Sequence, residues 1–183
     1  MAVIIELNGV RPTIGEEVYL APTAVLVGAV EVGDRASIWF GAVLRADSAA
    51  IRIGAGTSVQ DNAVVHCAKN LPTSIGENVI VGHGAMLEGC VIEDGAIVGM
   101  GAIALQRSRL GRGAMLAAGS VLGEGFEVPP EVLAAGVPAV VKKPLSGAAQ
   151  AWTESAAREY QHYRERYLRH SRPTEVDHFE TMR

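Results

Sequence analysis

The sequence predicts an all-β chain, a solenoid wound from six-residue repeats, with a single α-helix after it. Three observations lead there. Large aliphatic residues recur every six positions along most of the chain, glycine is frequent (21 residues), and only 5% of the chain is aromatic. A period of six is neither the 3.6 of a helix nor the two of a simple strand. A core with so few aromatics needs many small, repeated aliphatic contacts.

The aliphatic series runs through Ile14, Leu20, Leu26, Val32, Ile38 and Leu44. After a short insert it resumes at Ile53, Val59 and Val65, and after a loop at Ile75, Val81 and Leu87. One residue is then dropped, and the series continues through Ile92, Val98, Ala104, Leu110, Leu116 and Leu122. Glycine often follows the aliphatic, as at Gly33, Gly54, Gly76, Gly82 and Gly99. A small or β-branched residue usually stands four places after it, as at Ala24, Ala42, Thr57 and Ala85. Over residues 11 to 125 this pattern resembles the hexapeptide repeat of left-handed parallel β-helices. The resemblance implies one short strand and one turn per hexad, three hexads per triangular coil, and the left-handed sense.

Residues 1–125 are therefore expected to form the β-helix and 126–145, FEVPPEVLAAGVPAVVKKPL, a Pro-rich exit strand and linker. Residues 146–170 read as a C-terminal α-helix packed alongside, with Ser146 as its cap. Trp152, Ala156, Tyr160, Tyr163 and Tyr167 supply its apolar face. Residues 171–183 form a polar tail, expected to fray after Pro173.

The formal net charge of -4, with basic residues scattered or interleaved with Glu, argues against nucleic acid as a partner. The opening MAVIIELNGV lacks the basic lead of a signal peptide, and no apolar run is long enough to span a membrane. Cys67 and Cys90 lie in apolar surroundings and read as free thiols, which points to a reducing, cytoplasmic location.

Positions three hexads apart stack on one face, with strands about 4.8 Å apart. Leu44, Val65 and Leu87 share a face, so Arg45, His66 and Glu88 form one outward column. Val59 and Val81 share another, which stacks Asp61 under His83. His66, His83 and Glu88 make a His₂Glu set of the kind catalytic zinc accepts. One chain does not easily bring His83 to the other two. Two chains do, and a cyclic homotrimer repeats the contact three times. The bland alternative is a surface histidine and a solvated carboxylate. Cys67 is a substitute ligand, although neighbouring strand residues face opposite ways and should aim it elsewhere.

At these residues the chain resembles the γ-class carbonic anhydrases, in the subfamily without the long acidic loop. The matching stretches are SIWFGAVLRAD, IRIGAGTSVQDNAVVH, IGENVIVGHGAMLEGC and GMGAI, with AAGVPAVVKKPL downstream. The resemblance implies His66 and His83 as metal ligands, and Arg45 and Asp47 as interface residues. It implies Gln60 and Asp61 as a polar pair beside the reacting water, and Tyr160 as an aromatic reaching the site from the helix. The implied cofactor is Zn²⁺, or else Fe²⁺ or Co²⁺, the substrate CO₂ or bicarbonate, and the assembly a homotrimer. In that family a divalent metal lowers the pKa of a bound water, whose hydroxide attacks CO₂.

The chain departs from the family at Glu88, where LEGC stands for LHGC, and at Ala46, which replaces a glycine. The loop CAKNLPTS has no carboxylate to serve as a proton shuttle. A carboxylate in place of imidazole removes one unit of positive charge from the metal, so slow turnover is expected. Two other functions compete. A hexapeptide acyltransferase needs one histidine base and an acyl-CoA groove, and a non-catalytic metal-binding scaffold needs neither.

Overall fold

The computed structural model describes residues 1–171, so the expected polar tail lies, except for Ser171, outside the described residues. The repeats wind into a parallel β-solenoid with three walls. On the first wall Val64–His66, Met86–Glu88, Ile103–Ala104 and Val121–Leu122 stack above the start of Val43–Ile53. Thr73–Ile75, Val91–Ile92, Arg109–Leu110 and Glu127–Val128 stack on its end to make the second wall. The third wall runs from Tyr19–Leu20 through Ser37–Ile38, Ser58–Val59, Ile80–Val81, Ile97–Val98 and Met115–Leu116 to Val132–Gly136.

The hexad aliphatics point inward and form one continuous core. Leu26, Leu44, Val65, Leu87 and Leu122 fill it from the first wall, and Ile53, Ile75, Ile92 and Leu110 from the second. Ile38, Val59, Val81, Val98 and Leu116 fill it from the third. Ile14 is the exception at 39% exposure. Its strand, Thr13–Ile14, pairs only with Val25–Val32 and has no coil on its other side.

The solenoid wall also runs past residue 125. Glu127–Val128 pairs in parallel with Arg109–Leu110, and Leu133 and Ala134 pair with Met115 and Leu116. Only then does the chain reverse, with Ala139–Pro144 antiparallel to Val132–Gly136. Val128 and Ala134 still plug the core, although Pro129 and Pro130 obscure the hexad between them.

Two glycine positions show how tightly the coils approach. A Cβ on Gly54 would lie 2.3 Å from the backbone carbon of Gly76 one coil above. Gly41 sits at a corner with φ +70°, and its Cβ would lie 2.3 Å from Asn62 Oδ1.

The C-terminal helix, Gly147–His170, lies along the third wall. Ala156 is buried against Ile80 and Ile97, and Tyr160 and Tyr167 pack on Tyr19 and Trp39. Trp152 and Tyr163, assigned to the same face by spacing, are exposed at its margins. Arg164 is buried instead: it donates to the carbonyl of Glu17, while Gln161 donates to those of Arg35 (2.9 Å) and Gly56 (3.0 Å). Those carbonyls belong to corners of successive coils, so the helix is keyed to the solenoid's backbone. Ser146 holds the N-cap position but makes no side-chain capping bond. Gly147, at φ +57°, lies outside the helical region and does not carry the first N–H groups round to the hydroxyl. Among the described residues no helix is long and apolar enough to cross a membrane.

Candidate metal centre

The strand pairing sets the first column. Arg45 stands beside His66, and His66 beside Glu88, in parallel register. In these coils the strands Val64–His66 and Met86–Glu88 extend one residue past the inward aliphatic. That extra residue points outward before the chain turns. On the third wall the strands Ser58–Val59 and Ile80–Val81 stop at the aliphatic, and the polar residues follow in the turn. His83 therefore belongs to a different corner of the prism from His66 and Glu88, as the hexad count requires.

Both histidines are oriented through Nδ1. His66 Nδ1 donates to the carbonyl of Arg45 (2.7 Å). His83 Nδ1 lies 2.7 Å from Asp61 Oδ2. A carbonyl and a carboxylate can only accept, so in each neutral ring the proton is on Nδ1 and the lone pair on Nε2. Metal-binding histidines are held in this way, with the far ring nitrogen hydrogen-bonded to a carbonyl or carboxylate. Asp61 is itself braced, since its other oxygen accepts the N–H of Phe40 (3.2 Å). Gln60 is buried, and its side-chain oxygen accepts the backbone N–H of His83 (3.2 Å), leaving its amide N–H groups for other work.

Glu88 is positioned by a residue that spacing did not single out. Gln106 Nε2, one coil above, donates to Glu88 Oε1 (2.9 Å). Thr73 ties the same corner together. Its hydroxyl donates to the carbonyl of His66 and accepts the N–H of Gly89 (2.7 Å). The dropped residue between Leu87 and Ile92 shifts Glu88 relative to the coil above, and Thr73 follows the loop after Val65, so hexad counting pairs neither Gln106 nor Thr73 with this corner.

Arg45 pairs with Asp47 of its own chain, and its second guanidinium nitrogen donates to His66 Nε2 (3.2 Å). Asp47, His66 and Cys67 form a compact group whose ligand atoms lie within 4.8 Å of one another. Cys67 turns inward and is fully buried in the core, as alternation along the strand expects, and its sulfur still lies 3.8 Å from Asp47 Oδ1.

Tyr160 comes to the third-wall corner from the helix. Together with Gln60, His83, Met100, Met115 and Trp152 it lines an open groove of about 310 Å³. Burial pushes the Tyr160 hydroxyl above its ordinary pKa, and the Asp61 carboxylate pushes it further, against an opposing hydrogen bond from Gln60. The phenol therefore remains a neutral donor at neutral pH. Its ring rests edge-on against Trp39 (6.0 Å between centroids), and the Trp39 indole N–H donates to Ser37 (3.0 Å) and Ser58 (2.9 Å).

The donor set fits a divalent ion: two oriented imidazole nitrogens and a braced carboxylate on a hexapeptide solenoid. Comparison with known proteins gives the family. A carbonic anhydrase of Geobacillus kaustophilus is 36% identical over 161 residues, 88% of this chain and 85% of that protein.

The chain belongs to the γ-class carbonic anhydrase-like family.

A second member, the mitochondrial gamma carbonic anhydrase 2 of Arabidopsis thaliana, is 40% identical over 155 residues, 81% of this chain. The chain spans only 56% of that longer relative. The solved structure of a hexapeptide transferase family protein from Anaplasma phagocytophilum has a TM-score of 0.87 at 37% identity, covering 91% of this chain and 98% of that one. No protein-family model matches the chain. Glu88 remains this chain's departure.

Proposed function

We propose that the protein is a metal-dependent, carbonic anhydrase-like enzyme acting on CO₂ and bicarbonate, with sites shared between the chains of a homotrimer. The observation that carries this reading is the common orientation of His66 and His83. Each has Nδ1 committed to an acceptor and its lone pair on Nε2, which in His66 accepts from Arg45 (3.2 Å) until an ion takes that place, yet the two stand at different corners of one prism. A second chain supplies what one cannot.

His66 and Glu88 of one subunit and His83 of its neighbour would hold the ion, with zinc, iron or cobalt all compatible with this nitrogen and oxygen set. Bound there, the ion supplies the Lewis acidity that makes water a nucleophile near neutral pH. The chain's own residues do the rest. Asp61 holds the His83 ring in its tautomer. Gln60, anchored through its oxygen on the His83 backbone, turns one amide N–H to Tyr160 and keeps the other for a substrate oxygen. Tyr160, a neutral phenol held by Trp39, offers a second donor at the rim of the groove. The apolar walls at Met100, Met115 and Trp152 suit a substrate that carries no charge before it reacts. Arg45 and Asp47 would stiffen the wall where the neighbouring chain docks. Two buried free thiols suit a reducing compartment such as the cytoplasm.

The test is metal content, mass in solution and CO₂ hydration, measured on zinc-, cobalt- and iron-loaded protein. A trimer that retains metal and hydrates CO₂ supports the reading, and a stable monomer removes it. The groove beside His83 also favours a second reading, acyl transfer with His83 as base. That reading predicts that His66→Ala and Glu88→Gln leave the rate unchanged, whereas the metal reading predicts that both lower it.

A further inference from the structure

The insert after Leu44 and the loop after Val65 bring three potential ligands of one chain together without help from a neighbour. We propose that Asp47, His66 and Cys67 form a cation site within the single chain, taking a thiophilic divalent ion such as zinc or cobalt. It shares His66 with the proposed interfacial site and rests on that reading only in that residue. It does not require His83, Glu88 or a second subunit.

Geometry supports it first. Asp47 Oδ1 lies 3.8 Å from His66 Nε2 and 3.8 Å from Cys67 Sγ. Ligands of one zinc ion, each bonded at about 2.0 to 2.3 Å, sit at such separations. The ligand atoms all lie within 4.8 Å of one another, so small rotations of Asp47 and His66 close the set.

The surroundings of the sulfur support it independently. Cys67 is fully buried, yet Sγ has polar company on several sides. The N–H of Ala49 donates to it (3.2 Å), Ser48 Oγ lies at 3.4 Å, and the carbonyl of Arg45 at 3.8 Å. Binding a metal there releases the thiol proton to solvent.

Charge is the third support. The Arg45 guanidinium bridges Asp47 and His66 Nε2, so a positive charge already rests between two of the three ligands. A divalent ion would take over that place, and Arg45, whose side chain is 49% exposed, can swing out to solvent.

The experiment is a cobalt titration of the full-length His83→Ala protein, in which the interfacial site has lost a ligand and this one is intact. Sulfur-to-cobalt charge transfer in the near ultraviolet reports thiolate ligation and nothing else at this site. The expected result is saturable cobalt binding with that band. Cys67→Ser in the same background should abolish the band, and Asp47→Asn should weaken cobalt affinity by about tenfold or more. If His83→Ala binds no cobalt, or binds it without the band, the proposal is overturned, whether or not Cys67→Ser folds. The interfacial reading fails separately. If wild type and His83→Ala have the same cobalt affinity and spectrum, His83 is no ligand, while the within-chain site stands.

Discussion

After the inward aliphatic of each hexad, the second and third walls often carry glycine, at Gly33, Gly54, Gly76, Gly82 and Gly99, whereas the first wall carries Arg45, His66 and Glu88. The repeat position is the same, but the backbone is not. Where the strand stops at the aliphatic, the next residue lies against the coil above, and a Cβ on Gly82 would come 2.7 Å from the N–H nitrogen of Met100. Where the strand runs one residue further, the same position points to solvent and can carry any side chain. The candidate site therefore draws on two kinds of position, the strand overrun on the first wall at His66 and Glu88 and the turn after the aliphatic on the third wall at Asp61 and His83.

The largest expected effect comes from exchanging the two kinds of position. Gly54→Val should destabilise the protein by about 3 kcal/mol, because the clash is with backbone and no flexible side chain can yield. Glu88→Val, at the same repeat position on the first wall, should change stability by only about 0.5 kcal/mol. Denaturant unfolding of both variants checks this, and equal losses would break the comparison.

Glu88→His should raise CO₂ hydration at neutral pH by up to about tenfold for each pKa unit recovered. The substitution returns one unit of positive charge to the ion, so the pH–rate profile moves to lower pH. Glu88→Gln should weaken metal retention without restoring the rate. An unchanged profile in both variants would mark Glu88 as a bystander held only by Gln106.

A smaller effect is expected at Tyr160. Its pKa is raised from the ordinary tyrosine value, first by burial and then by Asp61, so its neutral form persists throughout the neutral range. Tyr160→Phe should lower the rate a few-fold (on the order of one lost hydrogen bond) without moving the profile. A shifted profile would give Tyr160 a proton-transfer role. Smallest is the effect of Arg45→Ala on subunit stability, about 1 kcal/mol or less, because the Arg45–Asp47 pair is half-exposed.

Much of this molecule can be read from its hexads. The count alone stacks Arg45, His66 and Glu88, and puts Asp61 under His83, because a fixed period carries register from coil to coil. It fails wherever the period breaks or the partner is distant. Alternation turns Cys67 into the core, but it does not show that the insert after Leu44 brings Asp47 within 3.8 Å of its sulfur. Gln106 and Thr73 touch the site through irregular corners. Val128 and Ala134 extend the core past residue 125 behind two prolines. Arg164 is buried because it reaches the carbonyl of Glu17, a contact that helical spacing does not encode.

Subunit mixing tests the shared site most directly. His66→Ala and His83→Ala proteins, each inactive in CO₂ hydration when alone, are unfolded together in equal amounts, refolded and assayed. In a trimer with sites between chains, about one site in four regains His66 and Glu88 from one subunit and His83 from its neighbour. Recovery to about a quarter of the wild-type rate is expected. No recovery, in mixed trimers verified by mass, would contradict it.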